Sequence, residues 1–216
     1  MSRAYSRWVE LRPGSRATVL IVLVVLVGNG FYVGGLTDSS PLSWTTNLVT
    51  VTCHLSCTRS SIDPNIGFIT QPLGYLASHQ VFSGHWPFWN PFEGLGQPLL
   101  GEMQAAALFP PIWLLALPAG LLWFHISLEI VAGLATYALV RRLGVDSTVA
   151  TFAGCLFALN GTFAWLGNAV VNPVCLLPVT LLAVEYVMDG VRWSRPTRWP
   201  LLAVALALSM AAGFPE

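Results

Sequence analysis

The chain contains no lysine, and charge of either sign is scarce: ten basic residues, all arginine, stand against ten acidic ones among 216. A formal net charge of zero without a basic patch excludes the electrostatic footprint by which proteins bind nucleic acid, so no nucleic-acid partner is expected. The charged share, 9%, is also too small to clothe a soluble domain when 55% of residues are hydrophobic and mean hydropathy is +0.66. Cysteine is scarce as well, with four residues. Cys53-His54-Leu55-Ser56-Cys57 has neither the spacing nor the second ligand pair of a zinc site. Cys53 and Cys57 are a candidate local disulfide if they lie outside the cytoplasm, and Cys155 and Cys175 fall in apolar runs as small packing residues. There is no phosphate-cradling glycine loop, no nucleophile elbow and no internal repeat, which removes three common enzyme and scaffold classes.

What the chain has is long apolar runs. They predict an all-α integral membrane protein with about five transmembrane helices, each near the roughly 20 residues needed to cross the hydrocarbon core. The expected order is a cytoplasmic tail over 1–16, a span over 17–36, a long structured extracytoplasmic loop over 37–103, and a re-entrant or interfacial half-helix over 104–118. Spans then follow over 119–140, 147–166, 173–190 and 199–214. The Pro110-Pro111 pair and the short apolar stretch mark 104–118 as a half-helix rather than a crossing. Arg3, Arg7, Arg12 and Arg16 precede the first span, Arg141 and Arg142 follow the second, and Arg192, Arg195 and Arg198 separate the fourth from the fifth. Only Arg59 falls on the other side, so positive-inside counting places the N-terminus in the cytoplasm. The first span is read as an uncleaved anchor, because Gly34-Gly35-Leu36-Thr37 is a poor signal-peptide cleavage site. Arginine without lysine is a coding bias of GC-rich genomes and points to a high-GC bacterium.

The outer loop carries the chemistry. Ile66, Ile69, Leu73 and Leu76 recur at helical spacing and predict an interfacial helix that Pro72 bends or divides. Trp86, Phe88, Trp89 and Phe92 then form an aromatic stretch suited to the membrane–water interface, or to a platform for sugar or lipid. Gln71, Asn90, Gln97 and Gln104 are candidate hydrogen-bonding partners for sugar hydroxyls. Glu93, Glu102 and Glu216 are candidates for orienting an acceptor or holding a divalent cation, a hard ion that takes oxygen ligands; no spacing specifies a metal site. Within the second span His125 and Glu129 are four apart and share a helix face, as a structural pair, a proton relay or a cavity wall. Asn160-Gly161-Thr162 matches a glycan acceptor pattern but falls inside a predicted span.

Read together, Ile62-Asp63-Pro64, Gln71-Pro72, Gly84-His85-Trp86-Pro87-Phe88-Trp89-Asn90-Pro91, Gly94-Leu95-Gly96-Gln97-Pro98 and Phe109-Pro110-Pro111 resemble the start of the bacterial YfhO-type membrane proteins. Tyr137 to Gly144 and Gly213-Phe214-Pro215-Glu216 are similar to two later turns of that family, with phenylalanine in place of an expected histidine. The resemblance spans roughly residues 60–216. It implies kinship with the GT-C glycosyltransferases, which move sugars from polyprenyl-phosphate carriers on the outer face of the membrane. It also implies an envelope glycan or lipid as acceptor, and a chain that is the N-terminal part of a longer one.

On that reading Asp63 is the candidate catalytic residue, because inverting glycosyl transfer needs a carboxylate to deprotonate the acceptor hydroxyl. Gln71, Trp89, Asn90, Glu102, Gln104 and Glu216 are the candidate substrate-binding residues. Asp63 can equally start an Asp-Pro turn or cap the following helix, and Asp38 is the reserve base. The phosphate of a donor would find only Arg59, His54, His79 and His85 on the outer side. Two alternatives are a transporter or flippase of a lipid-linked substrate, in which His125 and Glu129 would matter more than Asp63, and a noncatalytic scaffold for envelope assembly.

Overall fold

The computed structural model describes residues 13–30, 69–165, 171–192 and 198–213. Asp38, Cys53, Cys57, Arg59, Asp63 and Glu216 lie outside them. The described chain is mostly helical. Helix α1 is Pro13–Gly28 and α2 is Gln71–Phe82; the two-residue strands β1, Trp89–Asn90, and β2, Gln97–Pro98, follow. Helices α3, Gly120–Arg142, α4, Ser147–Ala158, α5, Leu177–Arg192, and α6, Trp199–Ala211, complete the order. Two helical stretches, Gly120–Arg142 and Asn172–Gly190, are long and apolar enough to cross a membrane.

The apolar runs over 104–118 and 147–166 are broken for local reasons. Over 104–118 the chain forms 3-10 turns at Met103–Ala105 and Pro110–Ala116, because the paired prolines remove two donors and favour only a first helical turn. Seven residues of 3-10 helix rise about 14 Å, well short of a hydrocarbon core about 30 Å thick. The 147–166 run is α-helical only through Ala158. There the Asn160 amide donates to the Phe157 carbonyl at 2.6 Å while its oxygen accepts from the Thr162 amide at 2.9 Å, a local alternative to the helical ladder. Its continuation, Gly161–Trp165, is 3-10. Before α5, Pro173 heads another 3-10 turn, Asn172–Leu176. Pro72 does not divide α2 but stands in its first turn, where the missing N–H is no loss.

The main core lies where α3 meets the 3-10 segment Pro110–Ala116 and the start of α5. Phe109, Ile112, Phe124, Leu128, Phe163 and Leu176 are buried there, with Phe109 edge-on to Phe124. A Cβ on Gly120 would collide with the Leu114 carbonyl, so glycine lets α3 start directly against that segment. Deeper in the bundle Gly133 of α3 and Gly154 of α4 bring their backbones together, with Ile21 of α1 laid across both. Small residues at such crossings let helices pack by van der Waals contact alone.

The outward surface is apolar too. Leu20, Leu23 and Val27 on α1, Val149, Phe152 and Leu156 on α4, and Leu181, Val184 and Met188 on α5 are exposed. Each set recurs at i, i+3 and i+7, one face of a helix. The arginines with described side chains gather at one end of the bundle. Arg142 pairs with Asp189, and both Arg142 and Arg198 stack on Tyr186, with guanidinium carbons 4.5 and 4.7 Å from its ring centre. Helix α1 begins beside Tyr137 at the same end of α3.

At this end Asp146 caps α4, accepting from the Thr148 amide at 2.7 Å. That bond holds its carboxyl below the ordinary aspartate range. A depressed folded-state pKa contributes stability that is complete above the unfolded value and is lost as pH falls through the folded one. Asp146→Ala should therefore lower the melting temperature at neutral pH, and the two melting curves should converge in strong acid. Equal melting temperatures at neutral pH would show that the cap does not stabilise α4.

Candidate functional site

At the opposite end of α3 from the arginines, the chain between α2 and Gln104 folds into a short platform. Helix α2 turns its small face, Gly74, Ala77 and Ser78, into the protein. A Cβ on Gly74 would meet Leu115 at 2.6 Å and Ile112 at 2.8 Å. The buried Ser78 hydroxyl lies 2.6 Å from the Gly74 carbonyl and 3.1 Å from that of Ile112, so this polar group is satisfied. The helix ends at Phe82 with Ser83 as its cap, and Gly84 follows with a positive φ of 79° that suits glycine just past a helix C-terminus.

Strand β1 then pairs antiparallel with β2, Trp89 opposite Pro98 and Asn90 opposite Gln97. The Gln80 side chain donates to the Trp89 carbonyl at 2.7 Å, fastening the hairpin to α2. Asn90 is buried; its oxygen accepts from the Phe92 amide at 3.0 Å and its nitrogen donates to Glu93 at 3.3 Å. The tip is thereby fixed by an Asx turn. Gly96, at φ 98°, lies under the Trp89 ring, which a Cβ would meet at 2.5 Å.

Between α2, the hairpin and the turn at Met103–Ala105 lies a cleft of about 680 Å³. Its floor is apolar, from Ile69, Pro72, Leu73 and Leu76, and its polar lining comes from Tyr75, His79, Asn90, Glu93, Glu102 and Gln104. Tyr75 and His79 are one helical turn apart, and the hydroxyl lies 2.7 Å from the His79 Nε2. Ala106, in the left-handed region at φ 45°, ends the Met103–Ala105 turn two residues after Gln104. That conformation costs an alanine about 1 kcal/mol or more and is held by the surrounding core. An apolar floor with a few convergent polar groups is the usual form of a small-molecule site.

Three of the expected substrate-binding residues, Asn90, Glu102 and Gln104, thus share one cleft with Glu93. Trp89 stands on the hairpin beside Gly96 rather than in the lining. Gln71 is buried in the first turn of α2, and its Oε1 has no hydrogen-bond partner among the described residues. Asp63 and Glu216 fall outside the described residues. Tyr75 was not expected in the site, although its i, i+4 spacing from His79 was there to be read. Among the described residues no three His, Cys, Asp or Glu side chains converge as a metal site would require.

A second polar cluster lies inside the bundle. Glu129, 5% exposed, accepts from the Asn29 amide at 2.5 Å through Oε2 and lies 3.0 Å from the His125 Nε2 through Oε1. Asn29, 6% exposed, also donates to the Val25 carbonyl at 3.0 Å. The expected pair of His125 and Glu129 therefore forms, with Asn29 at the end of α1 as a third member. Comparison with protein-family models, curated proteins and solved structures gives no significant match.

Proposed function

We propose that the chain is a multi-pass protein of the bacterial cytoplasmic membrane that handles a lipid-linked sugar at the outer face, as a GT-C-like glycosyltransferase of the YfhO type. The observation that carries the reading is the cleft, which gathers Asn90 and Glu93 from the hairpin and Glu102 and Gln104 from the following turns over an apolar floor. Such residues hydrogen-bond sugar hydroxyls, while the floor receives the ring's C–H face. Membrane residence is supported by the outward apolar stripes on α1, α4 and α5, which a soluble surface would not carry. An outer-face cleft is supported by the arginines clustered at the other end of the bundle, in keeping with the positive-inside rule. The exposed Trp86 and Phe88 suit the headgroup layer beside the cleft.

In this reading Asp63 takes the proton from the acceptor hydroxyl as that oxygen attacks the anomeric carbon and the carrier phosphate leaves from the opposite face. The test is mass spectrometry of envelope glycans from a deletion strain carrying the unaltered gene or Asp63→Asn at matched membrane levels. The unaltered gene should restore one sugar modification, and Asp63→Asn should reduce it about 100-fold or more. Full restoration by Asp63→Asn would remove Asp63 as base and move transport or scaffolding ahead of the transferase reading.

A further inference from the structure

The charge of the cleft says which substrate it takes. Among the described residues Glu93 and Glu102 line it, His79 is the one basic side chain in the lining, and no arginine reaches it. The chain has no lysine to supply instead. Arg141 and Arg142 end the 23-residue α3, about 34 Å at 1.5 Å per residue from the end on which the cleft is built. Arg198 stacks on Tyr186 beside Arg142, at that same distant end. Among the described residues a phosphate in the cleft would thus meet two carboxylates and none of the guanidinium groups that suit anions.

The carboxylates differ. Glu93 accepts from Asn90, whereas Glu102 has no side-chain hydrogen bond or ion pair among the described residues; it is half-buried between two 3-10 turns, with Gln104 following. A half-buried, uncommitted carboxylate in a cleft over apolar side chains favours a ligand bearing both hydroxyls and a positive charge. Resting on the reading of this cleft as a sugar site, we propose that it binds the acceptor rather than the carrier-linked donor. We further propose that the acceptor unit is an amino sugar whose ammonium pairs with Glu102, its ring resting on Leu73 and Leu76.

The test is calorimetric titration of the full chain in nanodiscs of zwitterionic lipid, which contain no sugar headgroup to compete. Methyl glucosaminide, methyl glucoside and glucose 1-phosphate are titrated at slightly acidic pH. The glucosaminide is expected to bind about fivefold more tightly than the glucoside, the worth of one partly exposed ion pair, and the phosphate more weakly than either. Glu102→Gln should erase the preference for the amine, with an unchanged melting temperature showing that the variant is folded. Should that variant misfold, the ranking of the three ligands on the unaltered chain decides alone. Equal binding of glucoside and glucosaminide, or tighter binding of the phosphate, overturns the amino-sugar assignment and leaves the sugar site standing. Failure of all three to bind overturns both.

Discussion

Gly154→Ala is expected to lower the stability of the folded chain by about 2 kcal/mol, and Gly154→Leu to prevent the bundle from closing. The added Cβ would stand 2.6 Å from the Gly133 carbonyl oxygen and 3.0 Å from the Ile21 Cδ1. The nearer atom is backbone in the middle of α3, so no side-chain rotation relieves the contact. The helices must separate, and the Ile21 contacts that span both are lost with them. Alanine regains about 1 kcal/mol of helix propensity over glycine, which offsets part of the overpacking but not the backbone collision. Ile21→Val, which removes the Cδ1, should therefore fail to rescue Gly154→Ala. Gly30→Ala is the control, since none of the described residues lies within 4 Å of its Cβ position, and it should melt with the unaltered chain. Thermal unfolding in detergent micelles reads all four. If Gly154→Ala melts with the unaltered chain, α3 and α4 do not pack backbone to backbone.

The same glycines explain which parts of the architecture were legible beforehand. Apolar runs announce helices, and those over 119–140 and 173–190 correspond to the two long helical stretches, Gly120–Arg142 and Asn172–Gly190. Hydrophobicity carries no information about where hydrogen bonding changes hand. The break after Ala158 comes from the Asn160 side chain competing for backbone partners, and Asn160 was visible only as part of a glycan acceptor pattern. In the cleft, Asn90, Glu102 and Gln104 were legible as polar residues of a loop, but their convergence depends on Gly84, Gly96 and Ala106 turning the chain through positive φ. Contacts between residues near in sequence, such as His125 with Glu129, follow from helical spacing. Asn29 was missed as their partner because it is 100 residues from Glu129, and no periodicity connects positions so far apart.

Glu129 provides the second large effect, and its two substitutions are expected to part company. Glu129→Ala should destabilise the chain by about 2–3 kcal/mol, because it opens a cavity between α1 and α3 and leaves the buried Asn29 amide with Val25 alone. Glu129→Gln should cost under about 1 kcal/mol. A glutamine oxygen still accepts from Asn29, and its nitrogen can donate to the His125 Nε2 once that imidazole takes the tautomer protonated at Nδ1. The geometry thus survives loss of the titratable group, with only the direction of one hydrogen bond reversed. Function is read on the same variants. A proton relay needs a group that takes up and releases a proton, so a transporter coupled through this cluster would be inactivated by Glu129→Gln at unchanged stability. A structural clamp between α1 and α3 would leave glycan modification intact in Glu129→Gln and reduce it in Glu129→Ala only as far as folded protein is lost. The clamp is the expected result, because both carboxylate oxygens are engaged by side chains within the bundle. Inactive but stable Glu129→Gln would move the active machinery from the outer cleft to the bundle interior, and the transporter reading would replace the transferase.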